Sequence, residues 1–160
     1  MTSQNSNNNT YSGTHFAAPA DVADKLVTIK LDYKTSSVST ATNNTSHWFL
    51  ANLALTENTP TYAETYSGGK GVSFQNNTTV TEGVAQGLAI AGNTKYAVTI
   101  VINNKTKTAQ ITATPESGDA ITYSIADTKQ AINTLYFRPG RNLTDTIDNL
   151  SVVIADAPTE

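Results

Sequence analysis

The chain has 160 residues, enough for one domain with a single hydrophobic core, and it carries a net charge of -3 with only 14% charged residues. Its 10 lysines and arginines are scattered without forming a basic stripe, which argues against nucleic acid as a partner. No apolar run approaches the roughly 20 residues of a membrane span, and the absence of cysteine excludes disulfides, thiol nucleophiles and zinc–thiolate sites.

Two residue types dominate the composition and point to β-structure. Threonine occurs 27 times and asparagine 16 times. Threonine is β-branched and suits a pleated, half-wet surface, whereas asparagine favours turns. No helical apolar periodicity runs longer than two turns. The composition therefore predicts an all-β domain.

The first segment of the chain is polar and of low complexity. Residues 1–20 contain the run "MTSQNSNNNTYSGTH", which offers little apolar surface to offset the entropy of ordering. It also lacks the basic and apolar regions of a signal peptide. We expect a flexible tail or linker over residues 1–20 and a folded domain over residues 21–157.

Strand-like alternation begins at Lys25. The stretch "LVTIKLDY" places Val27, Ile29, Leu31 and Tyr33 on one face of a strand. The stretch "HWFLANLAL" (47–55) is apolar on both faces, which is typical of a central strand. Shorter strands are predicted at 72–75, 78–82 and 87–91, followed by the hairpin "KYAVTIVINNKTKTAQITATP" and by "ITYSIA", "INTLYF" and "TIDNLSVVI". About ten strands with a turn signal every 8 to 12 residues predict a two-sheet antiparallel β-sandwich.

The second half of the chain resembles a known class of modules. The order "KYAVTIVINNKTKTAQITATPESGDAITYSI", "INTLYFRPGR", "TIDNLSV" is similar to the accessory β-sandwich modules of secreted polysaccharide-degrading enzymes. Those modules resemble concanavalin-A-like/laminin-G-like jelly rolls and related carbohydrate-binding modules. The resemblance covers about residues 95–154. It implies a jelly roll, a secreted or extracellular location and a polysaccharide partner.

Catalytic residues of the kind used by enzymes with this fold are missing from the sequence. Such enzymes hydrolyse glycosidic bonds with carboxylates spaced on one strand so that they face the same cleft. None of the 13 acidic residues forms such a cluster, and His15 and His47 are the only histidines. We therefore predict that the domain is not an enzyme.

Aromatic residues offer one means of binding sugar. Trp48, the only tryptophan, lies in the most apolar strand and is either a core residue or, if Phe49 faces the core, an exposed ring that stacks on a pyranose. Tyr62 and Tyr66, in the long loop that follows, either pack that loop or add a second stacking surface.

Two arginines offer a second means of binding sugar. Arg138 and Arg141 flank "PG". They either pair with Asp145 or Asp148 and hold the final loop, or bind sugar hydroxyls and uronate carboxylates through the guanidinium fork.

Asp148 interrupts the last predicted strand. Its parity matches Leu150, Val152 and Ile154, so we expect a buried carboxylate that needs a backbone cap, an arginine or a cation. Related jelly rolls often hold a structural calcium ion near the closing strand. The resemblance implies that Asp148 could join Asp21 or Asp24 if the first and last strands are neighbours, although no local calcium loop is present.

These observations favour a noncatalytic carbohydrate-binding module. It would tether a larger protein to a plant cell-wall polysaccharide or another uronate or neutral glycan, as a monomeric unit without nucleic-acid or membrane partners. The alternative is a structural or adhesion domain of a surface or virion protein that binds no glycan. Exposure of Trp48 beside Tyr62 or Tyr66 would favour the first, and a buried Trp48 with a featureless surface would favour the second.

Overall fold

A computed structural model of the protein describes residues 2–4, 12–37, 46–57, 69–75, 86–140 and 142–158. The described residues form strands and a single turn of 3₁₀ helix at Pro19–Val22. The strands are β1 (Thr2–Gln4), β2 (Ser12–His15), β3 (Lys25–Thr35), β4 (His47–Ala51), β5 (Gly71–Gln75), β6 (Gln86–Gly87), β7 (Lys95–Asn103), β8 (Thr108–Pro115), β9 (Ile121–Ile125), β10 (Thr134–Arg138) and β11 (Thr144–Asp156). Within these ranges, no helix is long and apolar enough to cross a membrane.

The strands form two sheets packed face to face. The six-stranded sheet has the order β1-β11-β3-β7-β8-β9, and the five-stranded sheet has the order β2-β10-β4-β5-β6. Every described pair is antiparallel except β5 with β6. The predicted all-β, two-sheet sandwich is confirmed, with the two closing strands β10 and β11 in different sheets. The strand predicted at 78–82 lies outside the described residues.

The beginning of the chain differs from the expected flexible tail. Strand β1 pairs with β11, and β2 pairs with β10. Both therefore add to sheets that the rest of the chain builds. An edge strand is held mainly by backbone hydrogen bonds to one neighbour, so a polar composition does not prevent it from joining a sheet. The sandwich thus begins before residue 21.

Side chains from both sheets meet in one hydrophobic core. Strand β3 alternates buried and less buried residues as the sequence predicts, and β7 and β8 follow the same pattern. An aromatic cluster joins the sheets: the ring centroids of Tyr33 and Trp48 are 4.7 Å apart, and those of Trp48 and Phe137 are 5.1 Å apart. Edge-on contacts of this kind add to the burial energy of the rings.

Strand β4 is the central strand of the five-stranded sheet. All five of its residues, His47–Ala51, are buried, and β10 and β5 flank it on either side. The prediction of a central strand from its two apolar faces is confirmed. Because both faces of β4 are buried, this strand holds its neighbour β10, which carries the candidate site, in a fixed position.

Candidate functional site

A group of polar and aromatic side chains lies on the face of the five-stranded sheet that points away from the core. Along β10, Leu135 and Phe137 enter the core, so the alternate residues Thr134, Tyr136 and Arg138 share the opposite face. The strand register adds the residues beside them on β2 and β4. We call this set the β10 face; its members are Gly13, His15, His47, Phe49, Thr134, Tyr136 and Arg138.

The start of β10 is anchored by a fully buried asparagine. The Asn133 side-chain amide donates to the carbonyl oxygens of Leu53 and Ala17 at 2.7 and 2.9 Å, and its oxygen accepts from the backbone N–H of Leu53 at 2.8 Å. Two carbonyl acceptors and one N–H donor allow only one orientation of this amide. The Asn133 oxygen therefore faces the hydroxyl of Thr134, which donates to it at 2.9 Å.

This orientation determines how His15 is bound. The Thr134 hydroxyl proton goes to Asn133, so the hydroxyl can only accept from His15 Nδ1, which lies 2.9 Å away. In the neutral imidazole, Nε2 is then the acceptor, and it lies 3.3 Å from the Tyr136 hydroxyl. The two rings meet edge to face, with an interplanar angle of 87°. A chain of hydrogen bonds thus runs from Tyr136 through His15 and Thr134 to Asn133.

A glycine lets the tyrosine ring lie close to the neighbouring strand. Gly13 is the partner of Tyr136 across the β10–β2 ladder. A Cβ atom at Gly13 would lie 2.6 Å from Cγ of Tyr136 and would also collide with the carbonyl oxygen of Leu135. The ring is therefore held between a bare backbone and His15, and the side chain stays partly exposed.

Positive charge lies at the other end of the β10 face. Arg138 is partly exposed and pairs across the ladder with the buried His47. Burial, followed by the positive charge of Arg138, lowers the pKa of His47 to about 4. The imidazole of His47 is therefore neutral at physiological pH, and Arg138 supplies the charge. Phe49, buried beside His47 with ring centroids 6.2 Å apart, completes the face.

Trp48 does not belong to this face. Its side chain is only 1% exposed and packs in the aromatic cluster of the core. The expectation of an exposed stacking surface at Trp48 is therefore wrong. Trp48 and Phe49 point to opposite faces of β4, but Phe49 is also buried, and apolar character on both faces of a strand does not reveal which one meets the second sheet. Tyr62, Tyr66 and Arg141 lie outside the described residues.

Asp148 is exposed. The expectation of a buried carboxylate at this position is therefore wrong. The β11–β3 register shifts between Asp148 and Ser151, and Asn149 in the shift has a φ of 53°. This β-bulge reverses the alternation, so the parity of Val152 does not extend back to Asp148. The acidic side chain of β11 that is buried is Asp145.

Asp145 is the buried carboxylate of the closing strand. It is 0% exposed and accepts a hydrogen bond from the Ser46 hydroxyl at 2.9 Å. Ser46 in turn accepts from the backbone N–H of Gly140 at 3.1 Å, which ties the loop after Arg138 to β4. Burial raises the pKa of Asp145, and hydrogen bonds with Ser46, Thr35 and Tyr33 oppose that rise.

The three carboxylates proposed for calcium do not converge. Strands β3 and β11 are neighbours, as the hypothesis required, but Asp148 lies level with Asp32 whereas Asp156 lies level with Lys25. Lys25 is therefore about 23 Å along the strand from the level of Asp148, at roughly 3.3 Å per residue, and Asp24 comes just before Lys25. Asp21 is exposed in the 3₁₀ turn. Among the described residues, no group of three or more His, Cys, Asp or Glu side chains could hold a metal ion.

The sequence carries a signal for two residues of the β10 face. Its charge marks Arg138, and Tyr136 shares the parity of Arg138 in "TLYFR", so strand alternation alone would place both on one face. His15 carries no such signal, because it lies in a polar stretch without strand-like alternation. Only the pairing of β2 with β10 brings His15 to Tyr136.

Comparison with known proteins supports the fold. No family model matches the chain, and no curated protein matches it. Among solved structures, the chain is similar to lectin UEA-II complexed with galactose, with a TM-score of 0.57 and 8% sequence identity over 89% of this chain and 78% of that chain. At this identity the likeness shows a shared β-sandwich fold.

Proposed function

We propose that this chain is a noncatalytic carbohydrate-binding domain that binds glycan on the β10 face. The observation that carries the proposal is the partly exposed ring of Tyr136, held by His15 and Gly13, in line with Arg138 on the same strand. An immobilised aromatic ring can stack on a sugar at a low cost in conformational entropy. A solved lectin with the same fold, complexed with galactose, is consistent with this role.

The Tyr136 hydroxyl contributes in a defined way. With a neutral imidazole at His15, the hydroxyl proton is directed to Nε2, so towards a ligand the oxygen acts as a hydrogen-bond acceptor. Sugar hydroxyls can donate to it while the ring face packs against sugar C–H groups. Both interactions tolerate a wet surface, as expected for a partly exposed site.

The noncatalytic assignment is supported by the chemistry of the face. Glycosidic hydrolysis generally needs two carboxylates flanking the scissile bond. The described strands β2, β4 and β10 carry no aspartate or glutamate. Both ring nitrogens of His15 are engaged within the protein. In this proposal the domain is secreted, acts as a single copy and tethers a larger protein to a polysaccharide.

A structural or adhesion role without glycan is the second candidate. The burial of Trp48 favours it, because it removes the strongest stacking residue from the surface. The β10 face favours binding instead, because a purely spacing domain has no need for an oriented tyrosine and an arginine side by side. Binding assays on variants of Tyr136 distinguish the two.

The test is affinity electrophoresis against a panel of soluble neutral and acidic polysaccharides. We expect Tyr136→Ala to weaken binding at least about tenfold, or about 1.4 kcal/mol, and Tyr136→Phe to weaken it less. Tyr123→Ala, in a partly exposed tyrosine of β9 in the other sheet, is the matched control and should leave binding unchanged. If no polysaccharide in the gel slows the migration of the wild type, the structural role is supported. Release of reducing ends or unsaturated products would contradict the noncatalytic assignment.

A further inference from the structure

The outer face of the six-stranded sheet has a charged half and an uncharged half. On β3, Lys30, Asp32 and Lys34 alternate with buried residues and so face outward. Strands β8 and β9 contain no charged residue, and β7 contains only Lys95, at its first position. Strand β9 is the last in the order of this sheet, and charged side chains commonly block contact with other molecules at such an edge. The outer surface of β7, β8 and β9 is therefore polar but almost uncharged.

A depression of about 430 Å³ lies on this uncharged half. Two rows of side chains across the strands form its floor. In one row, Gln110 on β8 is the ladder partner of Val101 on β7 and of Ser124 on β9. In the other row, Thr108 is the partner of Asn103. The volume falls within the range of small-molecule sites, about 300–1,000 Å³. We call this site the β8 depression.

The row at the end of β7 and β8 offers oriented hydrogen-bonding groups. The side-chain oxygen of Asn103 accepts from the backbone N–H groups of Lys105 and Thr106 at 3.1 and 3.2 Å. These two bonds orient the amide, so its NH₂ group is the part that can donate to a ligand. The hydroxyls of Thr108 and Thr106 are 2.8 Å apart, and one hydrogen bond leaves the Thr108 oxygen with further capacity to accept.

The row at the middle of the strands combines polar and apolar groups. Gln110 and Ser124 are exposed, so an amide and a hydroxyl that both donate and accept are accessible to a ligand. Val101, between buried neighbours, places its methyl groups beside them. Tyr123, which precedes Ser124, packs against the core on the other side of β9. The β8 depression thus surrounds a small apolar patch with uncharged donors and acceptors.

Charged residues lie beyond the β8 depression, in the turns at its end, and none of them lines it. Asp127 and Lys129 form an exposed ion pair at 3.0 Å. Hydrogen bonds from Lys129 lower the pKa of Asp127, and the charges of Lys129 and Lys107 add to this effect. A ligand in the depression therefore meets amides, hydroxyls and methyl groups rather than ionised side chains.

We infer that the β8 depression is a second binding site, and that its ligand is a neutral glycan. Every sugar hydroxyl both donates and accepts, which matches the amide of Gln110 and the hydroxyls of Ser124 and Thr108. Sugar C–H groups suit the methyl groups of Val101. An anionic ligand would instead need a cation in the lining. The site lies on the opposite side of the sandwich from the β10 face and does not depend on it.

The experiment is an NMR titration of the isotopically labelled intact chain with cellotriose, mannotriose and galactotriose. A trisaccharide is too short to reach both outer faces, because two packed sheets separate them, so each site is observed by itself. We expect at least one of the three sugars to shift the side-chain amide signals of Gln110 and Asn103 and the backbone signal of Ser124. The affinity should be the same at low and high salt, since no ion pair is involved.

Three variants and a control test the contacts. Gln110→Ala should weaken binding at the β8 depression at least about fivefold, because it removes an amide that both donates and accepts. Ser124→Ala should weaken it less. Ser151→Ala, which removes an exposed hydroxyl from β11 in the same sheet, is the matched control and should change nothing. Tyr136→Ala should leave binding at this site unchanged. Because Gln110, Ser124 and Ser151 are exposed, their variants should keep the wild-type melting temperature.

The outcomes separate this inference from the proposed function. Shifts at Gln110 and Ser124 that persist in Tyr136→Ala would support the second site, whether or not the β10 face also responds. Shifts at Tyr136 and His15 alone would overturn the second site and leave the β10 face in place. Binding at the β8 depression that keeps its full strength in Gln110→Ala, or that falls as salt rises, would also overturn the inference.

Discussion

The ring of Tyr136 lies against Gly13, its partner across the β10–β2 ladder, so closely that no side chain fits between them. The contact fixes the ring on the β10 face. The site therefore depends on β2, a strand of polar sequence, because β2 supplies Gly13. Glycine is required here because of this close approach, and not because of an unusual backbone conformation.

The first prediction concerns this contact. Gly13→Ala should lower the free energy of unfolding by about 1–3 kcal/mol, because the added Cβ forces the Tyr136 ring and the Leu135 carbonyl to move. Urea denaturation of the two single variants and of the double variant with Tyr136→Ala measures the coupling. We expect the two changes to be non-additive by at least about 0.5 kcal/mol; additive effects would mean that the ring does not rest on Gly13.

The second prediction concerns Trp48. Trp48→Ala should lower the free energy of unfolding by about 3–5 kcal/mol, because it removes the ring that Tyr33 and Phe137 pack against. Trp48→Phe should cost less, since it keeps an aromatic ring in the cluster. The measurement is chemical denaturation of both variants.

Fluorescence provides an independent check on the burial of Trp48, because it is the only tryptophan. Its emission should be blue-shifted and poorly quenched by iodide, and it should not change when a glycan binds. Ready quenching in the folded protein would show that the indole is at the surface.

The third prediction concerns the buried Asp145. Burial raises the pKa of this carboxyl in the folded state above its unfolded value of about 3.9. A raised pKa means that the folded protein holds the proton more tightly. The associated stability is therefore present at low pH and is lost as the pH rises through the folded-state pKa.

Asp145→Asn removes this pH dependence while keeping an oxygen that can accept from Ser46. The variant should be more stable than the wild type at neutral pH, and its advantage should shrink as the pH falls towards 4. Denaturation curves of both proteins at several pH values measure this difference. An advantage that grows on acidification would show that the pKa of Asp145 is lowered instead.

The fourth prediction concerns Asp148. The side chain is exposed on the outer face of β11. Asp148→Ala should therefore change the free energy of unfolding by no more than about 0.5 kcal/mol. A loss of 1 kcal/mol or more would mean that the carboxylate has an essential partner. If that partner were a calcium ion, EDTA would lower the melting temperature of the wild type but scarcely that of the variant.

Much of the fold follows from the sequence alone. Alternation at Val27, Ile29 and Leu31 predicted a long strand with one buried face, which is β3. Apolar residues on both faces of "HWFLA" predicted the central strand β4. These predictions depend only on the period of a strand and on the need to bury apolar surface, and both are local properties of the chain.

The tertiary structure decided which face of each strand is used and which strands are neighbours. Trp48 enters the core because its face of β4 meets the other sheet at Tyr33. Asp148 turns outward because one extra residue at the bulge reverses the alternation. His15 reaches Tyr136 only through the pairing of β2 with β10, two segments more than a hundred residues apart. Strand pairing is set by backbone hydrogen bonds that every residue type except proline can make. For that reason the sequence determined the sandwich and its long strands, whereas the packing of distant strands determined the β10 face.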